Sequence, residues 1–564
     1  MKETIIILGA GVMQGPAINI AKELGYYTIA LDGNSAAPCV HLADKFEQID
    51  LKDKEGIETF ARSIQSSYNR LGIMTAGTDF SASVAWTAEK LGLPGIPYEA
   101  ALNASDKSRM RECFKKAALP SPDFFTISQE EFNHREHGEQ GVKRFLEANL
   151  LSFPLVIKPV DNMGSRGCRR VDNIGEFPDA AKTAIGFSRS GRAIVENFMD
   201  GPEFSVDAIV YKGEITICGI ADRHIFFPPY FIEMGHTMPT VINEEMKCAM
   251  LDTFCAGIHS LGLAGKDNIG AAKGDIKMTA KGPMIGEIAA RLSGGYMSGW
   301  TYPYSSGALP IKGAILAAMG KEPEGLVPIK KWTCAERAFI SIPGTVKEIR
   351  NREIKNKNEK NTNYINDVFM RIKEGDKVSF PENNVSKCGN IIASAPDRET
   401  AIKAAEDAAR AILIRLDPSD LETRKFLAEE LHADIEPQVR RRHGGHEENL
   451  KFPPNAFELT KELHEALSQL PKDNFEIFTP FPEFENSGLT DYMGRTVKES
   501  LEAVRFLCAS AAPCETLSDP CENAENTVRL GKSFWEALIR GGYQGAVYYI
   551  DSLGAKIDNK ENHQ

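Results

Sequence analysis

The chain lacks several patterns that mark common classes of protein. No stretch approaches the ~18 consecutive apolar residues that a membrane-spanning helix needs, and the apolar run at residues 5–11 is too short for the core of a signal peptide. A basic excess is also missing, because the formal net charge at pH 7 is −12. Proteins that bind nucleic acids usually carry a basic excess or a basic face. These absences predict a cytoplasmic protein with neither a membrane nor a nucleic acid as partner.

Paired cysteines are absent as well. The 11 cysteines are spread along 564 residues without a CxxC pair. Cys508, Cys514 and Cys521 come closest to a cluster, but their spacing matches no common zinc site. In a chain of this length, such scattered cysteines indicate reduced thiols and not a disulfide framework.

One short basic cluster stands out against the acidic background. Arg440, Arg441, Arg442 and His443 follow one another directly, and several glutamates flank them on both sides. Alternating blocks of opposite charge usually form a solvated, internally paired surface. We therefore interpret the cluster as such a surface and not as a contact for nucleic acid.

Length and composition are those of a multidomain globular protein. The chain is 42% hydrophobic and 26% charged, and its length corresponds to roughly three to four domains of ~150 residues. A single core is therefore not expected.

The N-terminal residues predict a β-α-β unit. A β-branched strand at residues 4–8 leads through three glycines into an amphipathic helix, and a second strand at residues 27–31 ends in Asp32. The glycine spacing is GxGxxxG, one residue longer than the dinucleotide fingerprint, which favours a related α/β domain with another ligand. A later strand runs into Gly77, Thr78 and Asp79, at the carboxyl end where open parallel sheets bind ligands.

The stretch at residues 153–167 combines a strand, a lysine and a glycine-rich turn. Residues 155–157 form a short apolar strand, and Lys158 lies at its end. Glycines in the turn at residues 162–167 allow backbone N–H groups to approach phosphate oxygens. This pattern fits a triphosphate clamp. A surface hairpin with a solvated lysine is the alternative, and this stretch alone does not decide between them.

A second charged pattern lies at residues 273–295. Two apolar stretches flank a turn at Lys281-Gly282, which indicates a hairpin with Asp275 and Glu287 on its two arms. Paired carboxylates on facing strands suit Mg²⁺, which prefers carboxylates together with nucleotide phosphates. A half-exposed hairpin with its charges in solvent is the alternative for these two residues.

Taken in order, these motifs resemble the ATP-grasp superfamily of ATP-dependent carboxylate–amine ligases, and most of all its L-amino-acid (dipeptide-type) ligases. The resemblance covers residues 1 to about 415 and implies an α/β, ATP-grasp fold with a Rossmann-like domain in front. The expected domains are a Rossmann-like pre-grasp domain (1–105), a small lid subdomain (106–195), a large subdomain with the metal site (196–330), a small closing β-rich domain (331–415) and an unrecognised helical C-terminal appendage (416–564).

The resemblance also implies roles for individual residues. The nucleotide contacts that it implies are Lys107, Lys158, Gly164, Ser165, Arg166, Glu196, Asn197, Phe198, Met199 and Glu203. Asp275 and Glu287 correspond to the carboxylates that hold Mg²⁺ (or Mn²⁺), and Arg291, with Lys158, to the groups that stabilise the transferring phosphate. The family motif Glu-x-Asn-Pro-Arg is here Glu287 to Arg291 with Ala289 in place of the asparagine, so one ligand of the second metal is missing.

The expected reaction joins a carboxylate, from an amino acid or a similar small acid, to an amine through an acyl phosphate, with release of ADP and phosphate. Arg223, His236, Gly294 and Gly295 lie where the family builds its substrate wall. For His236, a satisfied polar side chain without a ligand is the alternative. Two other functions stay open: a purine-pathway or carboxylase-type ATP-grasp enzyme, and an ATP-binding scaffold with weak turnover. A homodimer is one option for the assembly.

Overall fold

A computed structural model describes residues 2–134, 139–352, 364–428, 455–472, 481–510 and 531–561. The chain divides into two compact units. The first comprises Met1–Glu336 and Ile392–Lys403, and the second comprises Arg337–Ile391 and Ala404–Gln564. The basic cluster at residues 440–443 lies outside the described residues, as do Cys514 and Cys521.

The first unit begins with a four-stranded parallel sheet in the order β3-β2-β1-β4. Its strands and the helices that follow them are β1 (Glu3–Leu8), α1 (Gly15–Glu23), β2 (Tyr27–Asp32), β3 (Lys45–Gln48), α2 (Lys54–Gln65), β4 (Arg70–Thr75), α3 (Ser81–Leu91) and α4 (Tyr98–Ser105). Ile5, Ile6 and Ile7 are all buried in β1, because helices cover both faces of a parallel sheet. The predicted N-terminal β-α-β unit is confirmed.

A second, smaller sheet follows, in the order β5-β8-β6-β7 with antiparallel neighbours. The elements of this part are α5 (Lys107–Lys116), β5 (Phe124–Ser128), α6 (Gln129–His134), α7 (Glu139–Ala148), β6 (Leu155–Pro159), β7 (Arg169–Val171), α8 (Phe177–Phe187) and β8 (Arg192–Asn197). Leu155 and Ile157 of β6 are buried in its core, together with Ala181 and Ile185 of α8. The glycine-rich turn joins β6 to β7.

The largest antiparallel sheet of the first unit places β13, β12, β9, β10 and β11 side by side. The elements of this region are β9 (Glu203–Tyr211), β10 (Glu214–Phe226), β11 (Ile232–Met238), α9 (Glu244–Ser260), β12 (Ile269–Thr279), β13 (Gly282–Ala289), a π-helical turn (Met297–Thr301), α10 (Tyr302–Ser306) and α11 (Pro310–Ala318). Phe254 of α9 packs on Gly274 of β12, where a Cβ would lie only 2.6 Å from the ring. The hairpin predicted at residues 273–289 is therefore present as β12 and β13.

The remaining strands belong largely to the β-rich region that follows. They are β14 (Thr333–Phe339), β15 (Gly344–Arg350), β16 (Ile365–Met370), β17 (Lys377–Val378), β18 (Gly389–Ala395) and, after helix α12 (Arg398–Ala411), β19 (Leu413–Leu416). Within the second unit, β15 pairs with β17 and with β19, in both cases antiparallel. This region is the β-rich part expected from the sequence.

Helices dominate the rest of the second unit, as predicted. They are α13 (Leu421–Ala428), α14 (Lys461–Ser468), α15 (Pro482–Glu485), α16 (Val497–Ser510) and α17 (Lys532–Glu561), the last interrupted at Gly542. They pack against the strands of the same unit: Gln544 accepts a hydrogen bond from Ile342 N (3.0 Å) and donates one to Ile414 O (3.0 Å). Strands and helices thus share one core in the second unit. None of the described helices is long and apolar enough to cross a membrane.

Candidate active site

Lys107 is the first residue of α5, and its position is set by a helix cap. The Asp106 carboxylate accepts a hydrogen bond from Ser108 N (2.8 Å), as an N-cap residue does. The Lys107 side chain is 7% exposed, and its Nζ lies 3.1 Å from Glu287 Oε1. The same ammonium group donates to Asn162 O at 3.0 Å. Lys107 therefore connects the glycine-rich turn to the predicted metal carboxylate.

Charge pairing keeps both groups of this contact ionised. Burial alone would lower the pKa of Lys107, but the charges of Glu287 and Asp79 raise it above the ordinary value. Enclosure by protein atoms would raise the pKa of Glu287, but the charges of Lys107, Lys273 and Lys158 outweigh this effect and lower its pKa to about 2. Glu287 is thus a carboxylate at any physiological pH.

Lys158 meets a buried carboxylate on the next strand. Its Nζ lies 2.7 Å from Glu196 Oε2, and Arg111 Nε donates to Glu196 Oε1 at 2.8 Å. Arg111 is fully buried and Glu196 is 2% exposed. Burial would raise the pKa of Glu196, but the two cations lower it. Arg111 was not predicted from the sequence, although it lies four residues after Lys107, on the same face of α5.

The glycine-rich turn adopts backbone conformations that side chains disfavour. Gly164 and Gly167 have φ values of 68° and 69°, and Ser165 between them has φ 59°. Asn162 donates through Nδ2 to Phe187 O (2.8 Å), and its Oδ1 lies 3.5 Å from Arg166 Nη1. Ser165 Oγ donates to Phe231 O at 3.3 Å. Glycine thus permits the left-handed conformation at positions 164 and 167, and side-chain hydrogen bonds of Asn162 and Ser165 hold the turn to neighbouring backbone.

The segment that leaves β8 presents an aromatic ring among cations. Phe198 stacks on Phe231 with centroids 6.0 Å apart, and the charged groups of Arg170 and Lys277 lie 4.6 and 5.1 Å from its ring centre. Asn197 accepts a hydrogen bond from Ser152 N through Oδ1 (3.1 Å). Met199, another predicted nucleotide contact, has its side chain close to Gly286.

Arg223 binds three carboxylates at once. Its guanidinium, on β10, contacts Glu203 of β9, Glu233 of β11 (Nη2 to Oε2, 3.0 Å) and Asp275 of β12 (Nη1 to Oδ1, 2.9 Å). The charges of Asp275, Glu233 and Glu203 outweigh the effect of burial and raise the pKa of Arg223 well above its ordinary value. The guanidinium thereby links Glu203, a predicted nucleotide contact, to Asp275, a predicted metal ligand. Glu233 is an acidic residue of this cluster to which the sequence prediction gave no individual role.

Asp275 and Glu287 lie directly opposite each other on β12 and β13. Residues paired in this way have Cβ atoms about 4.5–5.5 Å apart. Lys273, two residues before Asp275 on the same face of the strand, binds the Asp275 carboxylate. Among the described residues, no group of three or more metal-binding side chains comes together. Two carboxylates fit Mg²⁺, which usually takes its other ligands from phosphate and water.

Arg291 lies in the segment after β13, beside a loop of the N-terminal sheet. Its side chain is 13% exposed, and its Nε lies 3.9 Å from Asp79 Oδ1. Gly294 backs onto Gly77, where an added Cβ would lie 3.0 Å from the Gly77 carbonyl oxygen. Gly295 has φ 60°. The predicted substrate glycines thus allow this segment to lie against the N-terminal loop.

A buried carboxylate fixes the start of this segment. Asp207 of β9 is fully buried and accepts hydrogen bonds from Ser293 N (2.9 Å) and from Ser293 Oγ. Burial raises the pKa of Asp207 to about 6. Ser293 O in turn accepts a hydrogen bond from Ser298 Oγ at 2.6 Å. Asp207 therefore orders the residues between Arg291 and Gly295, a role that its strand position alone does not reveal.

His236 lies in the interior of the first unit. Its side chain is fully buried, and its Nε2 lies 2.9 Å from Thr301 Oγ1, in the π-helical turn. Its Nδ1 lies 3.2 Å from a carboxylate oxygen of Glu336. The structure therefore places His236 among protein polar groups. A role in substrate binding stays a prediction.

Two regions of this chain match models of known protein families. A family model described as an ATP-grasp domain matches residues 151–299, and one described as L-amino acid ligase C-terminal domain 2 matches residues 338–417. Carnosine synthase 1 from Gallus gallus is 23% identical over 340 residues, which cover 57% of this chain and 36% of that protein. A formate-dependent phosphoribosylglycinamide formyltransferase from Prochlorococcus marinus is 28% identical over 204 residues, 35% of this chain and 48% of that protein. The chain thus spans only about a third to a half of these two relatives.

The crystal structure of an L-amino acid ligase from Bacillus licheniformis superposes with a TM-score of 0.62. The superposition covers 74% of this chain and 99% of that one at 21% sequence identity, a level that supports the fold. Together, the two family matches, the order of the sheets and the shared fold confirm the resemblance found in the sequence. Residues 151–299 thus match an ATP-grasp domain, and the β-rich region that follows matches the C-terminal domain 2 of L-amino acid ligases.

Proposed function

We propose that the chain is an ATP-dependent ligase that joins the carboxylate of an amino acid, or of a similar small acid, to an amine. The observation that carries the proposal is the position of Lys107, whose ammonium group contacts both the glycine-rich turn and Glu287. A cation at that point is within reach of phosphate oxygens held by the turn and of a metal ion held by the carboxylate. The match to an L-amino acid ligase domain supports an amino acid as substrate.

The proposed reaction has two steps. The γ-phosphoryl group of ATP passes to a carboxylate oxygen of the acid, which gives an acyl phosphate and ADP. The nitrogen of the amine then forms a bond to the acyl carbon while the bond from that carbon to the phosphate oxygen breaks, and phosphate and a proton are released. Lys107, Lys158 and Arg291 would offset the negative charge that gathers on the transferring group, a positioning and electrostatic role that phosphoryl transfer requires.

The residues on β12 and β13 fit a divalent metal ion. Asp275 and Glu287 would hold Mg²⁺ or Mn²⁺, since facing carboxylates are suitable donors and Glu287 stays ionised. When bound, such an ion neutralises charge on the triphosphate. Ala289 offers no side-chain ligand. Glu287 is therefore proposed as the more important of the two carboxylates.

The remaining predicted residues would place the nucleotide and the acid. Phe198, with the neighbouring Asn197 and Met199, would contact adenine, and Glu203 would bind the ribose. Acyl phosphates hydrolyse readily, so the site has to exclude water, and the turn at residues 162–167 is proposed as the lid. Arg223 and Glu196 already bind protein groups on several sides. We propose that both act mainly by positioning their neighbours.

The test is the release of ADP and phosphate from Mg-ATP across a panel of amino acids, offered singly and in pairs. The expected result is ADP release that needs an acid and an amine together, with amide formed in equal amount. Hydroxylamine in place of the amine should yield an acyl hydroxamate, which reports the acyl phosphate. ADP release that needs a ribonucleotide amine instead would favour a purine-type enzyme, to which the formyltransferase relative points. Tight ATP binding without turnover on any substrate would contradict the proposal.

A further inference from the structure

Asp79 is a carboxylate of the N-terminal sheet that the proposed reaction has not yet used. It follows β4 directly, in the loop before α3. This loop is fixed next to the segment that carries Arg291, because Ala76 forms a parallel bridge with Leu292 and Gly77 contacts Gly294. The position of Asp79 is therefore set by backbone contacts and does not depend on its own charge.

The surroundings of Asp79 are cationic. Its side chain is 10% exposed and faces Arg291 Nε at 3.9 Å, and that nitrogen has no hydrogen-bond partner among the described residues. Asp79 also acts on Lys107, whose pKa it helps to raise. Both cations are proposed to bind phosphate oxygens. In the free chain these two cations offset the charge of Asp79. Once phosphate oxygens engage them, the Asp79 carboxylate loses its counter-charges and would be suited to a cationic ligand.

One substrate of the proposed reaction carries such a charge. At neutral pH a free aliphatic amine is present as an ammonium ion, which has to bind near the acyl phosphate and lose a proton before its nitrogen can form the bond to the acyl carbon. We propose that Asp79 binds the ammonium group of the incoming amine substrate, while Arg291 attracts the acid and its phosphate. The two opposite charges would thus bind the amine at Asp79 and the acid at Arg291. This inference rests on the proposed ligase function.

The test uses the full chain and two nucleophiles. In Asp79→Asn the side chain keeps its size and loses its charge. With an amino acid as the amine, the KM for the amine should rise at least about tenfold, because the ion pair to the ammonium group is lost. Hydroxylamine is uncharged at neutral pH, so formation of acyl hydroxamate by the variant should stay within twofold of wild type. The KM values for ATP and for the acid should not rise, because the variant loses a charge that repels both.

Asp44→Asn is the matched control. Asp44 lies in the same N-terminal sheet region and pairs with Lys22 (3.2 Å) and Thr28, away from the proposed site. Its removal should leave both reactions unchanged. If Asp79→Asn does not fold, as judged by circular dichroism, Asp79→Ser provides a second uncharged side chain for the same comparison.

The possible outcomes separate this inference from the function on which it rests. Equal loss of amide and hydroxamate would overturn the inference, because it would mean that Asp79 only supports Arg291. A raised KM for the acid with hydroxylamine would also overturn it, since Asp79 would then hold the ammonium group of the acid. An unchanged KM for the amine would do the same. A wild-type chain that makes neither product would overturn the proposed function itself.

Discussion

The buried pair of Arg111 and Glu196 offers the sharpest test of how the small sheet is held to α5. Substitution of Arg111 by methionine keeps much of the side-chain volume and removes the charge. Among the cations in the described part of the chain, Glu196, which is 2% exposed, would then keep its ion pair with Lys158 alone, at 2.7 Å. Because Lys158 belongs to β6 and Arg111 to α5, the substitution removes the link of Glu196 to the helix.

The expected cost follows from the burial of both partners. Breaking a buried ion pair by removing one partner typically costs about 3–5 kcal/mol, because the other charge stays in the interior. Lys158 still compensates part of the charge of Glu196, so the lower limit applies, and we expect about 3 kcal/mol. Arg62→Met is the matched control. The Arg62 side chain is 55% exposed and pairs with Glu58 on one helix (2.7 Å), which is worth about 0.5 kcal/mol or less.

Native-state amide hydrogen exchange is the suitable assay, since a chain of several domains need not unfold in one step. Amides of β6 and β8 in Arg111→Met should exchange about 100-fold faster than in wild type, which corresponds to about 3 kcal/mol at ~1.4 kcal/mol per factor of ten. In Arg62→Met the same amides should be unchanged. An increase of less than about fivefold in Arg111→Met would refute the reasoning.

Acidification tests the same pair, because protonation of Glu196 removes its attraction to Arg111. The pKa of Glu196 is lower in the folded chain than its ordinary value of about 4.3. Such a group stabilises the folded state above that ordinary value, and the stabilisation is lost as the pH falls towards the folded pKa. The protection of β6 and β8 should therefore decrease with pH below about 4.3. In the double variant Arg111→Met, Glu196→Gln this part of the decrease should be missing.

Three further predictions concern the reaction and the second unit. Glu287→Gln should lower the rate of ADP formation by about 100-fold or more, because phosphoryl transfer depends on electrostatic stabilisation; a near wild-type rate would contradict its role. In Asp207→Ala, the backbone and the hydroxyl of Ser293 both lose their hydrogen-bond acceptor, so the segment from Arg291 to Gly295 is less well ordered. The KM for the acid should therefore rise more than the KM for ATP, and an equal change in the two KM values would contradict this. Ending the chain after Pro418 should abolish cooperative unfolding of the second unit, because Gln544 and Tyr548 no longer cover Ile342 and Ile414. A single melting transition of the shortened unit, followed by circular dichroism, would contradict this.

The sequence predicts those parts of the fold that local patterns determine. The strand at β6 is a short apolar run that stops at a proline, so both its extent and the exit of Lys158 follow from neighbouring residues. The hairpin β12–β13 follows from the turn at Lys281-Gly282, which sets the register as far as Ile276 and Ile285. Asp275 lies opposite Glu287 only because the register shifts by one residue between Asp275 and Ile276, and this shift was not predicted. The parallel order of the first sheet follows from strands that alternate with helices.

Contacts between distant elements could not be predicted in this way. Arg111 and Glu196 are 85 positions apart, and nothing in either local pattern indicates that they meet. Arg223 could be placed on a strand, but the three carboxylates around it come from three other strands. Asp79 is similar: its place at the end of a strand marked a ligand position, whereas its contact with Arg291 depends on how two sheets pack. In the second unit, helical periodicity was visible, but the partner strands of Gln544 were not.

The contact between Lys107 and Glu287 explains why Glu287→Gln should strengthen the binding of metal-free ATP and at the same time reduce turnover. Lys107, which is proposed to bind phosphate, already contacts Glu287 at 3.1 Å. Phosphate oxygens therefore have to compete with this carboxylate for the lysine. Removing the charge of Glu287 weakens the competitor, so ATP without a divalent metal ion, in the presence of a chelator, should bind Glu287→Gln more tightly than wild type, while turnover with Mg-ATP is lost. Calorimetric titration measures the affinity directly. Weaker binding of metal-free ATP by the variant would mean that Glu287 orients Lys107 towards the phosphate and does not compete for it.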